Sequence, residues 1–447
     1  MAKKLVKKEV RHELERTYAA DIKPSDKDKI VMIKGWAADT RALGKISFLV
    51  LRDISGEIQV TAIKNHTPEK IFNLIKEIQK ESAVSIKGKV VESKQAPGGR
   101  EINPEEIIVL NPSEPVLPID ISRYSKTEMP KRLDWRFLDT RRPNISPIFK
   151  IRSQIMRQIV DFFDSNRFIN INTPKITKLG LESGAELFQL MYFGKPAYLA
   201  QSPQLYKQMF VVGGLERVYE IGPVFRAEKS NTTRHLTEFT GIDFEMGFIN
   251  DENDVMDIIE KMLKYVLENV KKECSQELKL MKVELKIPEK IPKINIKEAR
   301  AILAAKGKKI PEDEDLDAEA EKIMGDYVLE NYGSEFVFMT NYPFKKRPFY
   351  HMKPDNDKKG TRSFDLLWKG VEIATGAQRE HRFDVLKKQA EEKGMKLDPI
   401  YSEIFKFGAP PHGGVGFGLD RLTARMLNLD NIREAILLTR DPERLTP

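Results

Sequence analysis

Residues 217–249 read RVYEIGPVFRAEKSNTTRHLTEFTGIDFEMGFI. Two runs rich in Val, Ile, Phe and Tyr, RVYEIGPVFRAE and TGIDFEMGFI, flank a polar loop, KSNTTRH. Each run has the length and composition of a strand, so the stretch predicts a long hairpin. Further strand patterns follow at EFVFMTNYP (335–343), FDLLWKG (364–370) and VEIATGAQRE (371–380). A Gly-rich segment, PPHGGVGFGLDRLTARMLNL (410–429), reads as a strand or turn entering a helix. Apolar residues at helical spacing mark 147–168 and 251–273. The strands do not alternate with helices in regular βαβ order. That favours an antiparallel α+β domain over a doubly wound nucleotide fold.

Upstream, Ile30 to Leu110 carries short strands at KIVMIKGWAAD, KISFLVLRDISGEIQVTAI, SAVSIKGKVVESK and EEIIVL, with Gly44, Ser55-Gly56 and Pro97-Gly98-Gly99 as turns. One helical pattern, PEKIFNLIKEIQKE, interrupts them. Five strands and one helix fit a small Greek-key barrel of the OB type. The expected organisation is a barrel over 1–115, a Pro-broken linker or hinge over 116–145, and a second domain over 146–447. Within the last, 285–335 is charged, with an acidic run at Glu312–Glu321, and reads as a surface insertion.

The 447 residues carry 75 Lys and Arg against 67 Asp and Glu, a net charge of +8. The barrel holds 21 basic and 17 acidic residues, and 120–152 holds nine and four, the densest basic stretch. Such a surplus suits a polyanionic partner, and a phosphate backbone is the natural one for 120–152. A single cysteine, Cys274, excludes an intramolecular disulfide framework and a Cys-cluster zinc site. No apolar run approaches the ~18 residues of a membrane helix. The basic start, MAKKLVKKEVRHELER, is broken by Glu9, Glu13 and Glu15, so it reads as a solvated helix and not a secretory signal. The expected setting is the reducing cytoplasm, with no membrane partner.

Several segments carry chemistry. Arg226, Glu228, Arg234, His235, Glu238 and Phe239 surround the polar loop, with Arg226 and Glu228 alternating on a strand face. Guanidinium forks grip phosphates, and a phenylalanine can stack on a purine. Arg421 follows the glycines of HGGVGFGLD, which let a ligand approach the backbone. Leu419 occupies the third position of a dinucleotide fingerprint, which excludes that motif. Asp365 and Glu372, on consecutive strands, offer hard oxygens to Mg²⁺ beside a nucleoside triphosphate.

In the same order along the chain, RFININTP (167–174), FRAE…RHLTEF and GFGLDR are similar to motifs 1, 2 and 3 of the class II aminoacyl-tRNA synthetases. LESGAELF (181–188), QSPQLYKQ (201–208), TGAQREHR (375–382) and the terminal RDPERLTP resemble, more closely, aspartyl-tRNA synthetases of the archaeal and eukaryotic type. The resemblance covers nearly the whole chain. It implies an anticodon-binding barrel, a catalytic antiparallel sheet flanked by helices, and a homodimer built partly through motif 1. It implies that L-aspartate and ATP give aspartyl-adenylate, and that the aspartyl group then moves to the 3′ end of tRNA(Asp).

The resemblance also implies roles. Arg226 bridges the α-phosphate and the substrate carboxylate, and Arg421 holds the γ-phosphate end, with Glu372 as the third catalytic group. Glu228, Arg234, His235, Leu236, Phe239, Glu372 and Gly418 complete the ATP site. Asp365, Glu372 and Thr375 hold Mg²⁺. Lys207 and Arg379 clamp the aspartate side chain, while Glu182, Gln204, Asp243 and Thr375 surround the rest of the amino acid. Trp36, Arg41, Phe48, Gln59 and Pro97 face the anticodon. Trp36 resembles the form restricted to tRNA(Asp) and Pro97 the form that also charges tRNA(Asn), so both specificities stay open. An asparagine-specific enzyme and a catalytically silent RNA-binding relative are the rival readings. The lysine of QLYK and the presence of Arg226, Arg421, Asp365 and Glu372 speak against them. Arg167 stands where motif 1 usually opens with Gly, and Asp420 where motif 3 more often has Glu.

Overall fold

Alternation of inward and outward side chains closes the N-terminal unit. β2 (Ile46–Arg52) buries Ser47, Leu49 and Leu51 and leaves Phe48 and Val50 half-covered on the other face. It belongs to a closed five-stranded barrel of order β1-β2-β3-β5-β4. The other members are β1 (Ile30–Leu43), β3 (Glu57–Ile63), β4 (Ala83–Glu92) and β5 (Arg100–Asn111). Helix α1 (Glu69–Glu77) buries Ile71, Phe72 and Ile75. This is the OB-type arrangement expected. In this computed structural model residues 14–178, 187–229 and 231–447 are described. The chain divides into units 1–118 and 119–447. The basic start of the chain, up to residue 13, and Glu182 lie outside the described residues.

The second unit begins with α2 (Met129–Asp134), α3 (Arg136–Asp139) and α4 (Ser146–Ser165). β6 (Ile169–Asn170), β7 (Ile176–Thr177), β8 (Gln189–Tyr192), β9 (Lys195–Leu199) and α5 (Gln204–Phe210) follow. The predicted hairpin is β10 (Arg217–Phe225) and β11 (Glu238–Gly247), paired antiparallel throughout. Then come α6 (Glu252–Glu273), α7 (Ser275–Met281), β12 (Lys293–Asn295), α8 (Ile296–Ala305) and α9 (Ala318–Tyr332). The chain ends through β13 (Phe336–Thr340), β14 (Ser363–Trp368), β15 (Val371–Arg379), α10 (Phe383–Glu392), α11 (Pro399–Glu403), β16 (His412–Gly418) and α12 (Leu419–Met426).

Eight strands form one sheet, β12-β13-β14-β15-β16-β11-β10-β6. Pairing is parallel only at its two edges, β12–β13 and β10–β6. Ile151, Ile155, Ile159 and Phe163 of α4 pack with Ile259, Leu263 and Val266 of α6 against Phe244, Phe338 and Phe364 of the sheet. The period-2 rule then turns Asp365, between Phe364 and Leu366, to the opposite face. That face carries the chemistry.

Three local findings refine the sequence reading. Arg167 adopts φ +64°, a left-handed conformation, so the motif 1 turn survives without its glycine. Of the basic stretch 120–152, Arg132, Arg136 and Arg142 are buried and converge on Asp139 at 2.9, 2.5 and 3.1 Å, with Glu434 also bound to Arg132 at 2.7 Å. Those three charges are spent inside the protein and do not face a phosphate backbone. Finally, 285–335 adds an edge strand and two helices whose Ile294, Leu303 and Met324 pack on Val337 and Leu367 of the sheet, so it extends the domain instead of lying on its surface.

Candidate active site

The β10–β11 hairpin, β15 and β16 floor a cleft of about 390 Å³. β16 can lie in the middle because four of its seven residues, Gly413, Gly414, Gly416 and Gly418, are glycine. A Cβ on Gly416 would stand 3.1 Å from Asp243 Oδ1, and one on Gly414 would stand 2.7 Å from the Glu245 carboxyl carbon. The neighbouring strands' side chains thus cross over β16.

At one end, Arg226 and Glu228 lie just past the end of β10 and not within the strand. The Arg226 N–H donates to the Thr237 carbonyl at 2.9 Å, which fixes the start of the loop. The Arg226 guanidinium sits 5.5 Å over the Phe239 ring and 3.9 Å from Glu228. Arg234, His235 and Leu236 line the same end, as do Gly418 and Arg421 from the β16–α12 junction. His235 pairs through Nδ1 with Thr232 Oγ1 at 2.6 Å. Burial holds its pKa below the usual imidazole value against the pull of Glu228. Arg421 donates to the Glu372 carbonyl at 2.9 Å and lies 3.7 Å from its carboxylate. The preceding residue, Asp420, is buried, accepts from the Thr240 N–H at 2.9 Å and pairs with Arg152 of α4 at 2.6 Å. The motif's unusual aspartate is therefore fully engaged.

The opposite end holds a buried charge cluster. Lys207 of α5 donates to Asp243 at 2.9 Å and to the Val415 carbonyl at 3.0 Å, and lies 3.4 Å from Glu245. Arg379 binds Glu245 through Nε at 2.9 Å, Gln204 Oε1 through Nη2 at 3.2 Å and His351 Nε2 through Nη1 at 3.0 Å. Against the cost of burial, the Arg379 and Lys207 charges hold Glu245 below the usual carboxylate range. Burial, followed by the Arg379 charge, keeps His351 neutral, well below the usual imidazole range. A guanidinium only donates, so His351 must accept at Nε2 and carry its proton on Nδ1. Gln204, Asp243, His351 and Arg379 line the cleft; Lys207 stands behind Asp243 and is 1% exposed. The Nε2 amide of Gln204 has no hydrogen-bond partner among the described residues.

Between the ends, Asp365 and Thr375 are register partners on β14 and β15. Thr375 Oγ1 donates to Glu372 at 3.2 Å. Burial and the Asp365 charge push Glu372 above the usual carboxylate range. Two carboxylates and a hydroxyl form a hard-oxygen donor set of the kind that fits Mg²⁺. Asp365 is the less available member, since Arg347 binds both its oxygens at 3.0 and 2.6 Å.

In the barrel, Phe48 pairs with Arg41 across β1–β2 and with Thr61 across β2–β3. Gln59 donates to Glu101 at 2.8 Å, Arg41 lies 3.3 Å from Asp39, Trp36 is partly exposed, and Pro97 opens the exposed turn before β5.

Residues 128–442 match the family of class II tRNA synthetases (D, K and N), and residues 31–110 match the OB-fold nucleic acid binding domain. This chain is a class II tRNA synthetase of that group. The synthetase is 46% identical to an aspartate–tRNA(Asp) ligase of Pyrococcus abyssi over 96% of its own length and 99% of the relative's. It is 43% identical to an aspartate–tRNA(Asp/Asn) ligase of Archaeoglobus fulgidus over 97% and 100%. Among solved structures, an asparaginyl-tRNA synthetase from Pyrococcus horikoshii complexed with asparaginyl-adenylate is 32% identical with a TM-score of 0.90, covering 97% of this synthetase and 100% of that chain. A putative aspartyl-tRNA synthetase from Leishmania major is 31% identical with a TM-score of 0.91, covering 99% and 97%. Backbone shape therefore does not separate aspartate from asparagine enzymes; side chains must.

Sequence reasoning missed four participants: Glu245, His351, Arg347 and Glu321. Glu245 had a signal, a carboxylate inside the buried strand pattern IDFEMGF, which demands a partner cation. Glu321 had none, because it sits in an acidic run that reads as solvated surface. In the structure it accepts from Arg234 at 3.4 Å and from the Glu372 N–H at 3.3 Å. Burial and the Glu372 charge push its pKa up to about 7.

Proposed function

We propose that this synthetase is an aspartate–tRNA ligase that forms aspartyl-adenylate from L-aspartate and ATP and passes the aspartyl group to the 3′-terminal adenosine of tRNA(Asp). The observation that carries the choice of amino acid is Arg379. It is buried, locked by Glu245, Gln204 and His351, and set at the end of the cleft remote from the Arg226–Arg421 pair. A fixed guanidinium favours a side-chain carboxylate. A neutral amide would gain only a neutral acceptor's hydrogen bond from it, about half the strength of the charge-assisted one.

The chemistry needs no protein nucleophile. The α-carboxylate of aspartate attacks the α-phosphorus of ATP in line, and pyrophosphate leaves with the bonding electrons. In this reading Arg226 bridges both reacting groups and Arg421 holds the far phosphates. Phe239 offers a ring face to adenine and Arg234 meets the triphosphate tail, while Glu228, His235, Leu236 and Gly418 shape the nucleotide's seat. Positioning and charge stabilisation supply the rate. Glu372, with Asp365 and Thr375, would hold Mg²⁺, which neutralises charge on the phosphates when bound. Gln204, whose Nε2 amide has no partner among the described residues, would donate to the amino acid, and Lys207 fixes Asp243, an acceptor for the substrate ammonium.

In the barrel, Phe48 would stack on an anticodon base, with Trp36, Arg41, Gln59 and Pro97 around it. The half-covered outer position of Phe48 supports this over a core role. A homodimer accounts for the exposure of Ile169 on edge strand β6 and of Met191, Tyr192 and Phe193 by β8. Sedimentation at micromolar concentration should give twice the chain mass. No described helix is long and apolar enough to cross a membrane, and we place the enzyme with its tRNA in the cytoplasm. Pyrophosphate exchange with a panel of amino acids tests the central reading: aspartate alone should support it, and exchange driven by asparagine would overturn it. Charging transcripts of tRNA(Asp) and tRNA(Asn) decides whether the second is also a substrate.

A further inference from the structure

Helix α9 meets the β14–β15 turn backbone to backbone. A Cβ on Gly325 would stand 2.5 Å from the Gly370 backbone, and one on Gly370 would stand 2.8 Å from the Lys322 Cα. Gly370 also needs its glycine for a φ of +66°. This close approach delivers Glu321, one helical turn before Gly325, to the rim of the cleft. Among the described residues Glu321 is the one carboxylate on Arg234, through a single contact of 3.4 Å. That contact is long and single-pronged, unlike the two-pronged Arg347–Asp365 pair. Arg234 lines the cleft and Glu321 does not, so a phosphate can approach the guanidinium from the side Glu321 leaves open. If Arg234 departs, Glu321 keeps an acceptor role on the Glu372 N–H and is not left without a partner.

We propose that Glu321 is a built-in competitor of the nucleotide: it holds Arg234 while the cleft lacks phosphate and yields it to the triphosphate tail. A polyphosphate offers more charge and a two-pronged grip, so it wins the guanidinium. Once the α–β bond is broken, the departing pyrophosphate loses Arg234 back to Glu321. The contact thus weakens ATP binding and speeds release of pyrophosphate. This rests on the reading that Arg234 meets the triphosphate.

Pyrophosphate exchange by the full chain tests it. Glu321→Gln, which keeps shape and removes charge, should lower the KM for ATP and for pyrophosphate, each by roughly threefold to tenfold, and leave the KM for aspartate unchanged. Glu321→Asp, which withdraws the carboxylate by one methylene, should move both in the same direction. In an Arg234→Ala background the Glu321→Gln change should have no effect on either. An unchanged or raised KM for ATP in Glu321→Gln, with Arg234→Ala alone raising it, overturns the competitor role and leaves the nucleotide site standing. An unchanged KM for ATP in Arg234→Ala itself overturns the placement of the triphosphate and the competitor role with it.

Discussion

At the scale of single residues, the site is a set of cations held by anions that are themselves held. Arg226 is the exception: its guanidinium is among the more exposed, 3.9 Å from Glu228 and over the Phe239 ring. A loosely compensated charge is what a transferring phosphoryl group can recruit. Arg226→Ala should therefore cut kcat for aspartate-dependent exchange by about a hundredfold to a thousandfold, with the unfolding midpoint unchanged. Lys207 is the contrast. Its removal leaves Asp243 and Glu245 facing each other in the interior, so Lys207→Ala should lose about 3–5 kcal/mol of stability in urea unfolding together with most aspartate activation. A variant that melts like the parent would show that the lysine is not buried against them.

Glu321 makes a further residue-scale prediction, in pH. Its pKa in the folded chain is pushed up to about 7 from 4.5. The folded state then holds more protons than the unfolded one between those values, so stability falls as pH rises through the window. Relative to Glu321→Gln, the parent should lose roughly 2–3 kcal/mol between pH 5 and pH 8. Parallel urea curves at both pH values check the sign.

At the scale of elements, β16 shows why a glycine run belongs to a catalytic sheet. Gly414 and Gly416 put no side chain between β11 and β15, so those strands can reach across it and bring Asp243, Glu245 and Arg379 together. Gly414 is the tightest position: a Cβ there would collide with the Phe244 carbonyl and the Glu245 carboxylate. Gly414→Ala should cost about 1–3 kcal/mol and raise the KM for aspartate through Arg379, while the KM for ATP, set at the other end, stays close to the parent's. Equal changes in both constants would mean that the strand tolerates the methyl and the sheet has moved as a whole. Helix α9 is the second instructive element. Its Gly325 is an ordinary interior glycine by sequence, and only the facing Gly370 makes it a contact point.

At the scale of the whole molecule, the chain is two compact units, the first holding the match to the OB-fold nucleic acid binding domain and the second the match to the synthetase family. In the proposed chemistry the exchange reaction uses only aspartate, ATP and pyrophosphate, so on that reading it reports on the second unit. Phe48→Ala should lower kcat/KM for aminoacylation of tRNA(Asp) about fivefold to a hundredfold and leave the exchange rate to the second unit's own residues. Loss of both activities together would mean that Phe48 supports the barrel and not the anticodon.

The sequence by itself determined which elements form and which residue types they offer. Strand alternation, the barrel's turns, the β10–β11 hairpin and the entry of FGLDR into a helix are local properties, legible because apolar periodicity and glycine placement act within a few residues. Arg226, Arg234, Arg421 and the pair Asp365 and Glu372 stood out as residue types within local strand patterns, whereas Gln204 and Lys207 came only through the family resemblance. Only the tertiary structure decided who neutralises whom. Lys207 reads as a cation free to meet substrate, yet Asp243 and Glu245, distant in sequence, surround it. Arg132, Arg136 and Arg142 read as a basic surface, yet Asp139 and Glu434 absorb them. Glu321 reads as solvated, yet two glycines 45 residues apart press it onto the cleft. Charge is written in the chain, but its compensation depends on distances of 3 to 4 Å between segments that only folding brings together.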